Sequence, residues 1–241
     1  MSARLSRPAL LAALTAAAVI GVLASALAGY APIGFGETVA AFFGGASEPV
    51  RIVVWEIRLP RALTAFLVGA ALGASGALLQ GLLRNPLADP GVLGVSACAA
   101  LGAVIAIYFN LAVISAFAVP VLAVGFALAA TIVLYFAGAA RLSAVQLVLV
   151  GVGLSSFAGA LTALAMNLAP NPYSLSDMVN WLLGSVANRS FSDIAFGAPF
   201  WIVGAILAAF ALPGLRALAL GEDTAASLGA DLNRTRLFVI A

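Results

Sequence analysis

The sequence predicts an all-α polytopic membrane protein with about six complete transmembrane helices plus the start of a seventh. Of its 241 residues, 64% are hydrophobic and only 8% are charged, which leaves too little polar surface to coat a soluble domain of this length. Apolar runs near the roughly 20 residues needed to cross a bilayer recur along the chain, and Gly, Pro and Arg punctuate them. We expect one membrane domain over residues 1–241.

The order of the apolar runs predicts where each span lies. Six runs are complete and a seventh starts at Leu237: 9–29, 62–83, 92–109, 112–138, 144–169 and 194–213. The first follows Arg4 and Arg7 but exceeds the roughly 7 to 15 residues of a signal-peptide core, so we expect a retained helix. With a cytoplasmic N-terminus, seven of the eleven arginines lie inside, which the positive-inside rule favours.

The connections between the runs differ in character. Residues 30–60 are long enough to fold over the outer face, and Asn110 indicates a tight turn between the third and fourth spans. In residues 174–185, apolar side chains recur at helical spacing at Leu175, Met178, Trp181 and Leu182. This spacing favours a short amphipathic helix at the outer interface with Trp181 at headgroup depth, and an irregular loop is the alternative.

Composition also excludes several classes of site. The chain has no His and a single Cys98, so it lacks the commonest metal ligand and the usual general base. We expect Cys98 to be a packing residue, and we expect no catalytic residue, metal or cofactor. A net charge of +2 with scattered arginines gives no indication of nucleic-acid binding.

Trp55–Val95 combines the most telling local features. Arg58 and Arg61 flank Pro60 directly before the second span, where arginines commonly anchor a helix by reaching lipid headgroups. After that span, the proline-bracketed turn Asn85–Pro90 interrupts helical geometry. Its Asp89 is placed to cap the next helix near Gly91.

Two spans carry faces of small residues. Such faces let neighbouring helices pack closely, and they also suit the wall of a path for a bulky ligand; packing and pore lining both stay open. The residues are Gly69, Gly73, Gly76 and Gln80 on the second span, and Gly151, Gly153, Ser155 and Ser156 on the fifth.

The polar segment before residue 237 predicts two short helices. Glu222 and Asp223 fall in the first turn of one, where they complement its dipole, and Gly229 supplies a stop. Asp231 or Asn233 then caps a second helix that carries Arg234 and Arg236. A solvated loop is the alternative.

These stretches resemble one family, the FecCD-type permease subunits of ATP-binding cassette importers for iron-siderophores, haem and cobalamin, which have the type II importer fold. The resemblance rests on five segments in the family's order: IRLPR at Ile57–Arg61, VGAALGASGALLQ at Val68–Gln80, NPLADPGVLGVS at Asn85–Ser96, LVLVGVGLSS at Leu147–Ser156 and LALGEDTAASLGADLNRTR at Leu218–Arg236. It implies a non-enzymatic permease subunit in the bacterial cytoplasmic (inner) membrane.

The resemblance implies partners and roles for particular residues. Arg58 and Arg61 would dock a periplasmic or lipid-anchored substrate-binding protein, and the small-residue faces would line the pore beside a second permease copy, in a homodimer or with a related subunit. A cytoplasmic gate falls at Leu142, Ser143, Ala144 and Val145, with Ala144 and Val145 in place of the family's small polar pair. The segment that couples to an ABC ATPase dimer is expected at Gly221, Glu222, Asp223, Ser227, Leu228 and Gly229.

Two other classes of protein fit less well. An ion-coupled secondary transporter should carry an ionisable group in mid-span, yet all nine acidic residues fall in predicted loops or span ends. A membrane-embedded enzyme would need a nucleophile with a base, or a metal constellation. No Walker-type phosphate-binding loop occurs, so ATP hydrolysis is expected of a separate subunit. Relative to the family, the chain is expected to be C-terminally incomplete.

Overall fold

The computed structural model describes residues 6–29, 31–140 and 144–240, and every element within these ranges is helical. The predicted all-α class is therefore confirmed. The helices are α1 (Arg7–Leu27), α2 (Phe35–Phe42), α3 (Glu48–Ile52), α4 (Leu59–Leu83), α5 (Val95–Tyr108), α6 (Ala118–Ala139), α7 (Ala144–Asn167), α8 (Pro172–Leu183), α9 (Phe191–Leu218), α10 (Glu222–Ser227) and α11 (Leu232–Ile240).

Five of the helical stretches are long and apolar enough to cross a membrane: Arg7–Leu27, Glu48–Leu83, Ala118–Gly138, Val145–Asn167 and Phe191–Leu218. They overlap five of the six complete predicted spans, and the chain is an integral membrane protein. The second stretch begins at Glu48, 14 residues before the predicted start at 62, so residues 48–60, predicted as part of the connection, continue this helix. The remaining run, predicted at 92–109, forms α5, whose 14 residues extend about 21 Å. Because that is shorter than the roughly 30 Å hydrocarbon core, the number of complete crossings stays a prediction.

The chain forms two compact units, residues 1–71 with 186–201, and residues 72–185 with 202–241. In the first unit a six-residue π-helical segment, Val53–Arg58, joins α3 to α4 without a break. Pro60 follows at the second position of α4 and is fully buried. Proline cannot donate to the carbonyl four residues earlier and its ring presses on that carbonyl, so the wider π turn accommodates it.

The second unit has its main core where α4, α6, α7, α9 and α11 meet. That cluster consists of Leu79, Leu82, Leu93, Leu134, Leu147, Leu218 and Ile240. Elsewhere in this unit α5 lies very close to α6, since a Cβ added at Gly102 would lie 2.5 Å from the Leu122 carbonyl oxygen. Glycine thus permits a backbone approach that any side chain would block.

Three predicted connections are confirmed. Asn110 adopts a left-handed conformation, with φ of 52°, in the turn after α5. The Asp89 carboxylate accepts a hydrogen bond of 2.7 Å from the Gly91 N–H at the start of a 3₁₀ turn, Pro90–Leu93. Residues 172–183 form helix α8 and not an irregular loop. Its Trp181 packs against the buried Ala103, Ala106 and Val119 of α5 and α6.

Candidate functional site

Arg58 lies beneath the C-terminal end of α1. Its Nη1 donates a hydrogen bond to the Leu27 carbonyl oxygen, and its Nη2 donates one to the Ala31 carbonyl oxygen, each at 2.8 Å. Nη1 also lies 3.4 Å from the hydroxyl of Thr38. The residue is 2% exposed, and its Nε has no hydrogen-bond partner. A buried cation at this position satisfies carbonyls that a helix end leaves open and complements the negative end of the helix dipole.

Gly29 makes room for this buried guanidinium. A Cβ added at Gly29 would lie 2.6 Å from the Arg58 Nε and 3.0 Å from its Cζ. Contacts this short are not tolerated between a side chain and a packed group. The glycine after α1 is therefore required for the Arg58 side chain to lie flat against the backbone.

Arg61 binds the same helix end from a more open position. Its Nη2 donates to the carbonyl oxygens of Ser25 at 3.0 Å and Ala28 at 2.8 Å, and the residue is half-buried. The sequence indicated both arginines as docking charges or headgroup anchors. The structure instead places both on the end of α1, and only Arg61 keeps part of its surface open; docking stays a prediction.

The predicted coupling segment forms two short helices. Helix α10 follows Gly221, with Glu222 and Asp223 in its first turn. It ends at Ser227, and Gly229 two residues later has a φ of 80°, the left-handed conformation that glycine favours after a helix end. Of the two candidate caps, Asp231 caps α11, because its carboxylate accepts from the Arg234 N–H at 3.0 Å. The expected pair of helices is confirmed.

One face of this segment is exposed, whereas other residues in it are buried or form a salt bridge with α11. Leu228 is 66% exposed, Ser227 is exposed, and Ala225 is fully buried. A salt bridge of 3.3 Å joins Glu222 of α10 to Arg236 of α11. Beside α11 a groove of about 560 Å³ is lined by residues that include Phe210, Pro213, Gly214, Leu228, Arg234 and Phe238.

Helix α11 differs from the prediction in its extent. The second short helix and the start of a seventh span, predicted at Leu237, form one helix from Leu232 to Ile240. Arg234 and Arg236 lie in its first half. Helix geometry continues because no Gly or Pro occurs between the polar and apolar halves.

The predicted glycines of α4 have empty space beside them, whereas of the two on α7 one is packed and one has empty space beside it. An added Cβ at Gly69, Gly73 or Gly76 would meet none of the described atoms within 4 Å, so this face is free either to pack or to line a path. Nearby, the Gln80 amide donates to the Ala88 carbonyl at 3.4 Å and holds the Asn85–Pro90 turn.

On α7 the four predicted residues do not share one surface. Gly151 is buried against Leu93, with an added Cβ only 2.6 Å from the Leu93 Cα, whereas Gly153 has open space around it and Ser156 is exposed. Ser155 is half-buried. At 100° per residue, neighbours along a helix point to different sides. Gly151 therefore takes the packing alternative, and Gly153 and Ser156 are left as candidates for a path.

Only part of the predicted gate can be located. Leu142 and Ser143 lie outside the described residues. Ala144 is the first residue of α7, and Val145 beside it is 70% exposed. The gate at this position stays a prediction.

In the described part of the chain, no three His, Cys, Asp or Glu side chains come together in a group that could hold a metal ion. The clamp of Arg58 on α1 was missed by sequence reasoning. Its one sequence signal is the combination of Gly29, directly after the first apolar span, with the Arg-Leu-Pro-Arg motif at Arg58–Arg61. Nothing in that signal specifies which carbonyls the guanidinium reaches.

Comparison with known proteins gives a consistent result. A model of the FecCD transport family matches residues 17–241. The ABC transporter permease protein YvrB of Bacillus subtilis is 40% identical over 213 residues, 86% of this chain and 58% of that protein. The ferric enterobactin permease FepG of Escherichia coli is 32% identical over 204 residues, 85% and 61% respectively. The molybdate import permease MolB of Haemophilus influenzae is 35% identical over 189 residues, 78% and 56%.

The fold has a solved counterpart. A metal-chelate type ABC transporter in an inward-facing conformation superposes with a TM-score of 0.79 at 30% sequence identity, over 98% of this chain and 71% of that one. This bears out the predicted type II importer permease fold. The chain spans between 56% and 61% of the length of the three curated relatives.

Proposed function

Because the chain belongs to the FecCD transport family, we propose that it is the permease subunit of an ATP-binding cassette importer for a metal chelate, siderophore complex or cobalamin-type ligand. The observation that carries the proposal is the capped, polar helical pair α10–α11 within a family match that spans residues 17–241. An exposed short helix that follows the long apolar helix α9 suits insertion into a groove on an ATPase subunit. The permease itself performs no hydrolysis.

Leu228 and its neighbours are the proposed contact with the ATPase dimer. Leu228 is a large apolar side chain, 66% exposed, directly after α10, on the side that the arginine distribution favours as cytoplasmic. A single exposed leucine is common on protein surfaces, so the position of Leu228 directly after α10, and not its exposure alone, supports this contact. Movement of this surface on ATP binding would open and close the path between two permease copies.

Co-purification tests the proposal. The tagged chain is purified in mild detergent from its own cells, and an ATPase subunit is sought by mass spectrometry together with vanadate-sensitive ATP hydrolysis. We expect both with the wild type and with Leu87→Asp, which changes a similarly exposed leucine in another loop. Leu228→Asp should lose the ATPase. Ligand uptake driven by an ion gradient, with no ATPase bound, would refute the proposal.

Arg61 is the better of the two arginines for docking a binding protein outside the cell membrane. Its guanidinium is partly open, whereas Arg58 is buried against α1. An acidic side chain of a partner can reach Arg61 without unfolding the end of α1, and a charge pair at an interface accelerates and orients docking. Reversal of Arg61 to Glu should weaken binding-protein affinity. The same reversal at the exposed Arg51 serves as the control and should leave affinity unchanged.

The ligand class follows from family membership and not from a pocket. The open small-residue positions Gly69, Gly73, Gly153 and Ser156 offer no charge or pattern of donors that would select one ligand. Selection therefore belongs to the binding protein. Uptake assays with ferric hydroxamate, haem and cyanocobalamin, together with identification of the ligand that the binding protein retains, would decide among them.

The ion-coupled alternative has less support. Asp193 is the third residue of α9 and is held by Ser190 and by Arg189, 3.7 Å away. It sits at a helix start, where a carboxylate complements the dipole. In the 36-residue stretch Glu48–Leu83, both acidic residues, Glu48 and Glu56, lie in the first quarter. A carboxylate in mid-span, which ion coupling would require, does not occur among the nine acidic residues.

A further inference from the structure

Helices α10 and α11 are tied together by contacts that bridge the turn between them. Glu222 and Arg236 are 14 residues apart and form a salt bridge of 3.3 Å, in which the Arg236 side chain is 11% exposed. The Ala230 N–H donates to the Ala225 carbonyl at 3.0 Å, which closes the turn after α10. These two contacts link the start of α10 and the turn after it to α11.

The first contact of α11 with a long helix is made by Thr235 on α9. A Cβ added at Gly214 would overlap the Thr235 hydroxyl and lie 2.7 Å from its methyl carbon and 2.8 Å from its Cβ. Thr235 is 6% exposed. Its hydroxyl donates to the Asp231 carbonyl of its own helix at 2.9 Å, so its contact with α9 is steric and tight.

The helix that receives this contact is weakened at the same place. Pro213 precedes Gly214 inside α9, and proline removes the hydrogen bond that its nitrogen would otherwise donate to Ala209. Proline and glycine together mark positions where a long helix bends. Pressure from Thr235 thus acts where α9 is easiest to bend.

The second contact of α11 is with α6. The Leu237 and Ile240 side chains approach Gly138, with methyl carbons 3.4 Å and 3.5 Å from an added Cβ. Ile240 is 8% exposed and belongs to the same core cluster as Leu134 of α6. The apolar half of α11 is therefore anchored in the core while its polar half is joined to α10.

We propose that α10 and α11 form one rigid coupling unit. The unit transmits displacement of α10 to α9 through the contact of Thr235 with Gly214, and it pivots about its contact with Gly138. Thr235, Gly214 and the Glu222–Arg236 pair are positioning residues for transport. The inference rests on the proposed ATPase contact of α10 and adds the route by which that contact reaches the spans.

The test transfers one methyl group between two helices. The complete complex with its ATPase and binding protein is reconstituted in liposomes, and uptake of whichever of radiolabelled ferric hydroxamate, haem or cyanocobalamin the wild type accumulates is measured per ATP hydrolysed. Gly214→Ala adds the methyl to α9, Thr235→Ala removes the facing atoms from α11, and the double variant does both. Gly204→Ala is the matched control, because an added Cβ there meets nothing within 4 Å.

We expect each single variant to lower uptake per ATP about fivefold or more, the lower end of typical coupling between sites. The double variant should recover part of the loss, because Thr235→Ala removes the facing hydroxyl and methyl but keeps the Thr235 Cβ, 2.8 Å from the Cβ added at Gly214. Gly204→Ala should match the wild type. Retention of the ATPase and the binding protein by each single variant, checked on the purified complex before reconstitution, separates loss of coupling from misfolding. Absence of an ATPase from the wild-type complex would overturn the proposed function together with this inference. An intact complex in which Gly214→Ala keeps wild-type uptake per ATP, or in which the double variant is no better than the single variants, would overturn the coupling unit alone.

Discussion

Replacement of Arg58 by Met should destabilise the protein by about 3 kcal/mol. Methionine keeps much of the volume of the side chain but removes its hydrogen bonds, and it leaves the carbonyl oxygens of Leu27 and Ala31 without the guanidinium, now 2.8 Å from each. A hydrogen bond from a charged donor contributes roughly 1.5 to 3 kcal/mol. Two short bonds at the lower end of that range give the estimate, and the longer contact with Thr38 at 3.4 Å adds little.

The free energy of unfolding in mixed detergent and SDS micelles measures this change. Arg61→Met removes two hydrogen bonds from a partly open group, which water can replace, so we expect a loss of about 1 kcal/mol. Arg51→Met removes an exposed side chain and should change stability by less than about 0.5 kcal/mol. Equal effects of Arg58→Met and Arg51→Met would refute the clamp on α1.

Four further substitutions test other features of the structure. Gly29→Ala should force the Arg58 guanidinium away from α1, since its methyl would lie 2.6 Å from Nε; the same unfolding titration should show a loss of about 1 to 3 kcal/mol, as for an overpacked core, and an unchanged midpoint would contradict this. Met178→Ala should cost about 2 to 5 kcal/mol, because Met178 of α8 is fully buried; a loss below 1 kcal/mol would place the helix in solvent. The separate effects of Arg236→Gln and Glu222→Gln on the amount of ATPase that co-purifies should not add up in the double variant, because the two residues share one salt bridge. Strictly additive losses would mean that the pair does not act together.

Helix caps and stops can be predicted from the sequence because they depend only on residues a few positions away. Asp89, Asp231 and Gly229 were assigned as a cap, a candidate cap and a stop from their positions relative to helical runs, and the structure places them in those roles. A cap needs only the N–H groups two or three residues onward, and a left-handed stop needs only a residue without a Cβ. Neither depends on the rest of the fold.

Contacts between residues far apart in the sequence could not be predicted from local patterns. The small residues of α7 were expected on one surface, but the 3₁₀ turn that carries Leu93 covers Gly151 and leaves Gly153 open. Trp181 packs on Ala103, Ala106 and Val119, which its spacing within α8 does not specify, and its depth in the membrane stays a prediction. In each case the deciding contact comes from a segment many residues away, whose position no local pattern specifies.

The sequence by itself determined that the chain is helical, that it belongs in a membrane and roughly where its long apolar helices lie, because hydrophobic run length and turn chemistry act over a few residues. Only the tertiary structure decided that Arg58 closes the end of α1 and that Thr235 presses on Gly214. Those contacts join residues 27 to 31 positions apart and 21 positions apart along the chain. Which of the many available carbonyls or glycines each side chain meets is set by how whole helices pack.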